Sequence, residues 1–128
     1  MQAYQHALKA LLWSETDGDG NPLDSGDFEE SQELRDRAEQ DWDRFRAIAE
    51  RLGFDAEEHC AMMLHPDNEG CAWNAVANDF ILTRNGHGTG FFDDGRWHTP
   101  WGDRLTKLCQ KFGELRCYVD DDGRIYPE

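Results

Sequence analysis

The sequence has no long hydrophobic run. None approaches the roughly 18 apolar residues that a membrane-spanning helix needs, and no signal peptide opens the chain. These absences predict a cytoplasmic protein without a membrane partner. In a reducing compartment the four cysteines, Cys60, Cys71, Cys109 and Cys117, are expected to be free thiols.

Sequence motifs typical of catalytic and cofactor-binding sites are also absent. The chain contains no G-x-S-x-G, no H-E-x-x-H and no P-loop. Neither a nucleophile next to a base nor a pair of catalytic carboxylates can be identified. The sequence therefore predicts a protein that is not an enzyme, with no catalytic residues and no cofactor.

Basic residues are scarce. The chain has 27 acids against 13 lysines and arginines, a net charge of -14. Residues 14–60 carry a net -11 and residues 61–128 a net -4, so the excess lies mainly in the first half. Such a surface repels nucleic acid and membrane phosphates and attracts basic surfaces of proteins.

What is present indicates one folded domain over 1–128. Hydrophobic residues make up 38% and aromatic residues 12% of the 128 positions, which is typical of a chain with a packed core. Internal repeats, low-complexity tracts and linkers are absent from the sequence.

Apolar residues at helical spacing predict most of the elements. Tyr4, Leu8 and Leu11 indicate a first helix that ends near Ser14. A long helix is predicted over 28–52, with Asp27 and Glu30 as a capping box and Gly53 after its end. Further helices are predicted from Asp55 to Pro66, over 70–78, and from Thr99-Pro100 to Gly113.

Turn residues predict the strands. Asn85-Gly86 indicates a β-hairpin with strands over 79–84 and 88–93, and Asp122-Gly123 a second hairpin with strands over 115–119 and 124–126. The predicted fold class is α+β. N-terminal helices pack on one face of a small antiparallel sheet of three or four strands, with one helix between the hairpins.

Four strings occur in an unusual combination. They are L-L-W-S-E-T-D at 11–17, L-T-R-N-G-H-G-T-G-F-F-D at 82–93, F-G-E-L at 112–115 and Y-V-D-D-D-G-R-I-Y at 118–126. With them the chain resembles a family of small acidic bacteriophage and prophage proteins. The resemblance implies a phage-encoded accessory protein, in a class where many small members bind and inhibit a host factor.

The acidic face of the long helix is the first candidate site. Glu33, Asp36, Glu39 and Asp43 lie on its predicted outer face, and Glu29 is close to its start. At a rise of about 1.5 Å per residue such carboxylates could imitate the charge of a DNA backbone. Interleaved arginines are expected to pair with some of these acids at i, i+4 spacing, and the alternative is a face that serves solubility alone.

The predicted first hairpin is the second candidate site. Arg84, Asn85, His87 and Asp93 could form a small-ligand site, with His87 and an aspartate as an acid-base pair. The alternative is a structural turn, because hairpin turns favour these residue types for shape alone.

Two groups resemble metal ligands without completing a motif. Asp17, Asp19 and Asn21 have the spacing of the first half of a calcium loop, but the second half is missing. Cys60, His65 and Cys71 are possible zinc ligands without a C-x-x-C pair. The sequence favours no bound metal.

The sequence and the resemblance together predict a non-enzymatic protein that binds and inhibits a host factor through its acidic surface. The partner would be a protein with a basic surface, such as a nucleic-acid-handling or defence complex, rather than nucleic acid itself. One alternative is a ligand- or metal-binding module centred on 85–93. Another is a structural phage component without a site.

Overall fold

The computed structural model describes residues 2–59, 71–87, 91, 97–98 and 100–128, and only the backbone of Cys71. The described helices are α1 (Ala3–Ser14), α2 (Gln32–Arg51), α3 (Ala56–His59), α4 (Cys71–Arg84) and α5 (Trp101–Gln110), with a 3-10 turn at Leu23–Ser25. The strands are β1 (Glu29–Glu30), β2 (Cys117–Val119) and β3 (Arg124–Pro127). The predicted α+β class is confirmed.

The described strands form a mixed sheet in the order β1-β3-β2. β2 and β3 are antiparallel, which confirms the predicted second hairpin, and Gly123 in its turn has a positive φ of 76°. β1 is parallel to β3, so the prediction of a purely antiparallel sheet is wrong for this pair. The backbone amides of Glu29 and Ser31 hold β1 in place by donating to Gly123 and Ile125.

α2 begins four residues later than predicted. The Ser31 hydroxyl accepts a hydrogen bond from the Leu34 amide at 3.1 Å and is the N-cap. The predicted capping box of Asp27 and Glu30 is wrong, because Glu30 belongs to β1. At the other end the helix stops at Arg51, close to the predicted end, and Gly53 follows with φ 98°.

The predicted first hairpin is wrong in its first strand. Residues 79–84 are the last turns of α4, which extends the short helix predicted over 70–78. Gly86, at φ 76°, lets the amides of Gly86 and His87 turn back to the carbonyls of Thr83 and Leu82. Asn-Gly here ends a helix. Of the predicted second strand, the structure describes only Phe91, which lies in a turn.

The ends of the other helices follow local signals. The Asp55 carboxylate accepts from the amides of Glu57 and Glu58 and begins α3 as predicted, and the rest of that predicted helix lies outside the described residues. α5 starts directly after Pro100, whereas the predicted cap at Thr99 lies outside the described residues. None of the helices in the described ranges is long and apolar enough to cross a membrane.

The core is rich in aromatic rings contributed by α2, α4 and the segments around α5. Phe45 of α2 and Phe80 of α4 stack with ring centroids 4.4 Å apart, and Phe91 and Phe112 lie against Phe45. α1 packs along α4 and covers the core from the other side. This packing fixes the outer face of α2 and the C-terminal end of α4, the two places where the sequence predicts sites.

Candidate functional sites on α2 and at the end of α4

The outer face of α2 carries a row of exposed carboxylates. Successive residues rotate by about 100° around a helix axis, and on this basis Glu33, Asp36, Glu39 and Asp43 lie opposite the buried side of the helix. All four are exposed, whereas Leu34, Ala38, Phe45 and Ala49 are buried. We call these four carboxylates the acidic ridge. Glu29, also exposed, belongs to β1 and not to the helix.

The ridge carboxylates form no ion pair with any described residue. No described arginine pairs with a ridge carboxylate at i, i+4 spacing as predicted, and the described i, i+4 pairs of α2 are Arg37 with Asp41 at 3.0 Å and Arg46 with Glu50 at 2.8 Å. The guanidinium of Arg46 also lies 4.3 Å from the centroid of the Trp73 ring. Arg37 and Arg46 therefore bind other groups, and the ridge carboxylates have no ion-pair partner among the described residues.

The acidic ridge has fewer charges per unit length than a DNA duplex. Its four carboxylates are spread over ten residue steps, about 15 Å of helix axis, or roughly one charge per 5 Å. One strand of B-DNA carries a charge about every 3.4 Å, and the duplex about every 1.7 Å. The ridge thus falls short of the charge density expected of a DNA mimic.

At the C-terminal end of α4, Arg84 joins distant parts of the chain. Its guanidinium donates to Asp41 Oδ2 at 2.9 Å, to the Gly113 carbonyl at 2.8 Å and to the Phe112 carbonyl at 3.2 Å. The side chain is only 1% exposed. Arg84 therefore neutralises a nearly buried aspartate of α2 and holds the segment that follows α5.

Asn85 continues this arrangement along the same segment. Its amide nitrogen donates to the Leu115 carbonyl at 3.0 Å, and its amide oxygen accepts from the Leu115 nitrogen at 2.8 Å. The same nitrogen donates to Glu15, and Arg116 donates to Glu15 at 2.6 Å and to the Asn85 carbonyl at 3.2 Å. We call Glu15, Arg84, Asn85 and Arg116, with Asp41, the polar clamp.

His87 lies at the edge of the polar clamp. Its Nε2 is 3.7 Å from Glu15 Oε1 and has no hydrogen-bond partner in the described part of the chain, although that nitrogen is shielded from solvent. The structure thus brings Arg84, Asn85 and His87 together. Asp93, the fourth residue of the predicted ligand site, lies outside the described residues.

Hydrogen bonds of the polar clamp connect residues from three of the four sequence strings. Glu15 comes from the first string, Arg84 and Asn85 from the second, and Leu115 from the third. Sequence reasoning missed the roles of Glu15, Asp41 and Arg116, because charged residues in an acidic chain give no signal of which distant partner they bind. The only available signal was that the strings occur together.

Of the two groups of candidate metal ligands, only Asp17, Asp19 and Asn21 lie fully within the described residues. One Asp17 carboxylate oxygen accepts hydrogen bonds from the amides of Asp19 and Asn21 at 2.9 and 3.0 Å. This carboxylate therefore stabilises the loop to which it belongs. Cys60 and His65 lie outside the described residues, as does the side chain of Cys71. Within the described ranges, no group of three or more His, Cys, Asp or Glu could hold a metal ion.

The two cysteines with described side chains are free thiols, of which Cys109 is buried and Cys117 partly buried. Burial raises the pKa of Cys109 far above its ordinary range and the pKa of Cys117 to about 12. Because the thiolate is the nucleophilic form, neither residue has the environment of a catalytic cysteine.

Comparison with protein-family models, with curated proteins and with solved structures finds no match to this chain. The described residues define an α+β protein with an acidic ridge on one helix, which forms no ion pair with a described residue, and a partly buried polar clamp.

Proposed function

We propose that this protein is a non-enzymatic binding protein that docks its acidic ridge on a basic surface of another protein. The main observation that supports this proposal concerns the acidic ridge, Glu33, Asp36, Glu39 and Asp43. These residues are exposed on one helix face and form no ion pair with a described residue. Like charges one turn apart destabilise a helix by about 0.2 to 0.5 kcal/mol per pair. A cationic partner removes that repulsion and gains long-range attraction.

The identity of the partner class rests on the resemblance to small phage proteins. In that context the partner is a host complex that handles nucleic acid or takes part in defence, since such complexes carry basic surfaces. The net charge of -14 supports attraction to a protein of this kind and disfavours direct contact with nucleic acid. Binding would inhibit the partner by covering its basic surface.

Affinity capture from a bacterial lysate with matched variants tests this proposal. The ridge variant carries Glu39→Lys and Asp43→Lys. The control carries Asp24→Lys and Asp121→Lys, which change the net charge equally at exposed positions off the ridge. Each is used at about 0.1 M and about 0.5 M salt, over which the screening length roughly halves.

We expect the wild type and the control to capture the same basic protein at low salt, and the ridge variant to lose it. At high salt the wild type should release it. Competition with duplex DNA would then show whether the covered surface binds nucleic acid. Equal loss by both variants would mean that net charge, and not the ridge, drives capture. Absence of any captured protein would contradict the proposal for that host.

The alternative ligand module over 85–93 has less support. Arg84 and Asn85 use their side-chain hydrogen bonds on Asp41, on Glu15 and on the backbone of 112–115. Those contacts favour a structural role for both residues and leave only His87 of the described candidates near solvent.

A further inference from the structure

A groove beside the β1–α2 junction carries a charge of the opposite sign to that of the acidic ridge. It has a volume of about 300 Å³, at the lower end of the range for small-molecule sites. Its lining residues are Tyr4, Gln5, Leu8, Lys9, Leu12, Glu30 and Arg35. We call it the α1 groove.

The floor of the α1 groove is apolar and elongated. Tyr4, Leu8 and Leu12 are spaced four residues apart and so lie on one face of α1. Eight residue steps at a rise of about 1.5 Å give the floor a length of about 12 Å. That shape suits an extended hydrocarbon or a short apolar side-chain stack.

The cations of the α1 groove are unpaired. Lys9 and Arg35 are exposed, and within the described ranges neither forms an ion pair or donates a side-chain hydrogen bond. Glu30 is the single acid among the lining residues. The groove wall thus carries one net positive charge on a chain whose net charge is -14.

We propose that the α1 groove binds an amphipathic organic monoanion, with its carboxylate held by Lys9 and Arg35 and its apolar body on Tyr4, Leu8 and Leu12. A guanidinium binds a carboxylate through two parallel hydrogen bonds, which makes Arg35 the principal anchor. A free alkyl carboxylate and the C-terminal carboxylate of an apolar peptide share this chemistry. The inference is independent of docking through the acidic ridge.

Isothermal titration of the full chain with decanoate, decylamine and decanol, below their micelle-forming concentrations, tests the site. We expect saturable binding of decanoate, and binding about tenfold weaker or worse for the amine and the alcohol. Lys9→Gln and Arg35→Gln should each weaken decanoate binding about tenfold. Arg51→Gln, an equal charge change at an exposed position outside the groove, should leave it unchanged.

A short leucine-rich peptide with a free C-terminus, and the same peptide amidated, distinguish the two sources of the carboxylate. Binding of the free peptide alone among all probes would support the site with a peptide ligand. No binding of decanoate or of the free peptide would overturn the proposal, as would equal binding to wild type and to both groove variants. The ridge change Asp43→Lys, eight residues from Arg35 on α2, should leave decanoate binding normal, so the two proposals fail separately.

Discussion

The Arg84 guanidinium lies where water hardly reaches. The carboxylate of Asp41 lies 2.9 Å from it, two backbone carbonyls accept two further hydrogen bonds, and the Phe80 and Phe112 rings lie 5.2 and 5.7 Å away. A buried ion pair is strongly destabilised when one partner is removed, because the other is left charged and unpaired. Arg84 is therefore expected to matter more than any surface arginine.

Arg84→Met should lower the free energy of unfolding by about 3 kcal/mol, the lower end for a broken buried ion pair, since Asp41 keeps Arg37 as a partner among the described residues. Urea denaturation followed by circular dichroism measures the change. Arg37→Gln is the control. It removes a bond to the same Asp41 oxygen from a side chain that is 43% exposed, and should cost less than about 1 kcal/mol. Similar costs for both variants would show that the buried charge is dispensable.

Cys109 and Cys117 should react slowly with iodoacetamide while the protein is folded. Burial raises the pKa of Cys117 from an ordinary value of 9.0 to about 12, which leaves about a thousandfold less thiolate at neutral pH. The measurement is alkylation at pH 8 in a Cys60→Ser, Cys71→Ser background, with and without urea. Rapid alkylation of the folded chain would contradict the burial of these thiols.

The same pKa shift gives stability a definite pH dependence. The unfolded Cys117 thiol ionises near pH 9 while the folded one stays protonated. The contribution of the Cys117 thiol to the free energy of unfolding is therefore fully present below about pH 9 and is lost as pH rises towards 12. Replacing it by serine should make the free energy of unfolding fall less steeply over that range.

At the scale of single elements, the sequence and the structure assign different N-terminal caps to α2. The sequence favours Asp27 with Glu30, whereas the structure places the cap at Ser31, whose hydroxyl binds the Leu34 amide. A pair of single substitutions separates these assignments, since only the true cap satisfies an orphan amide of the first turn.

Ser31→Ala should lower the free energy of unfolding by about 1 kcal/mol. Asp27→Ala, which removes an exposed side chain outside the helix, should change it by no more than about 0.5 kcal/mol. Chemical denaturation of the two variants beside the wild type gives both values. The reverse order would place the helix start where the sequence predicts it.

α4 shows how an element can be misread. Phe80, Ile81 and Leu82 are consecutive and all buried, because the helix is covered by α1 on one side and by α2 and α5 on others. A helix buried all round loses the 3.6-residue periodicity that identifies helices. The Asn-Gly pair that follows is equally suited to a hairpin and to a helix end, so local chemistry alone could not choose.

At the scale of the whole molecule, the charge of -14 should make stability depend on salt. Raising sodium chloride from about 0.01 to 0.2 M reduces the screening length from roughly 30 Å to below 8 Å and weakens repulsion among the acids. The free energy of unfolding should rise by about 1 kcal/mol over this range. A decrease would mean that the surface ion pairs outweigh the repulsion.

The acidic ridge should account for part of that dependence. Glu39→Gln with Asp43→Asn removes a like-charge i, i+4 pair and should stabilise the protein by about 0.5 kcal/mol at low salt, with the gain vanishing near 0.5 M. Asp24→Asn with Asp121→Asn removes equal charge away from the ridge and serves as the control. An equal gain in both would attribute the repulsion to net charge alone.

The sequence by itself determined the features that depend on neighbours along the chain. These are the α+β class, the periodic helices α1, α2 and α5, the β2–β3 hairpin at Asp-Gly, and the acidic outer face of α2. Each follows from side-chain spacing or turn chemistry within a few residues, so it can be predicted from neighbouring residues in the sequence.

Only the tertiary structure decided which distant groups meet. Arg84 binds Asp41 across 43 positions and Arg116 binds Glu15 across 101, and β1 joins a strand from the far end of the chain. The α1 groove likewise combines α1 with β1 and α2. These pairings depend on how the helices pack around the aromatic core, and a buried polar group takes whichever partner that packing brings within hydrogen-bond distance.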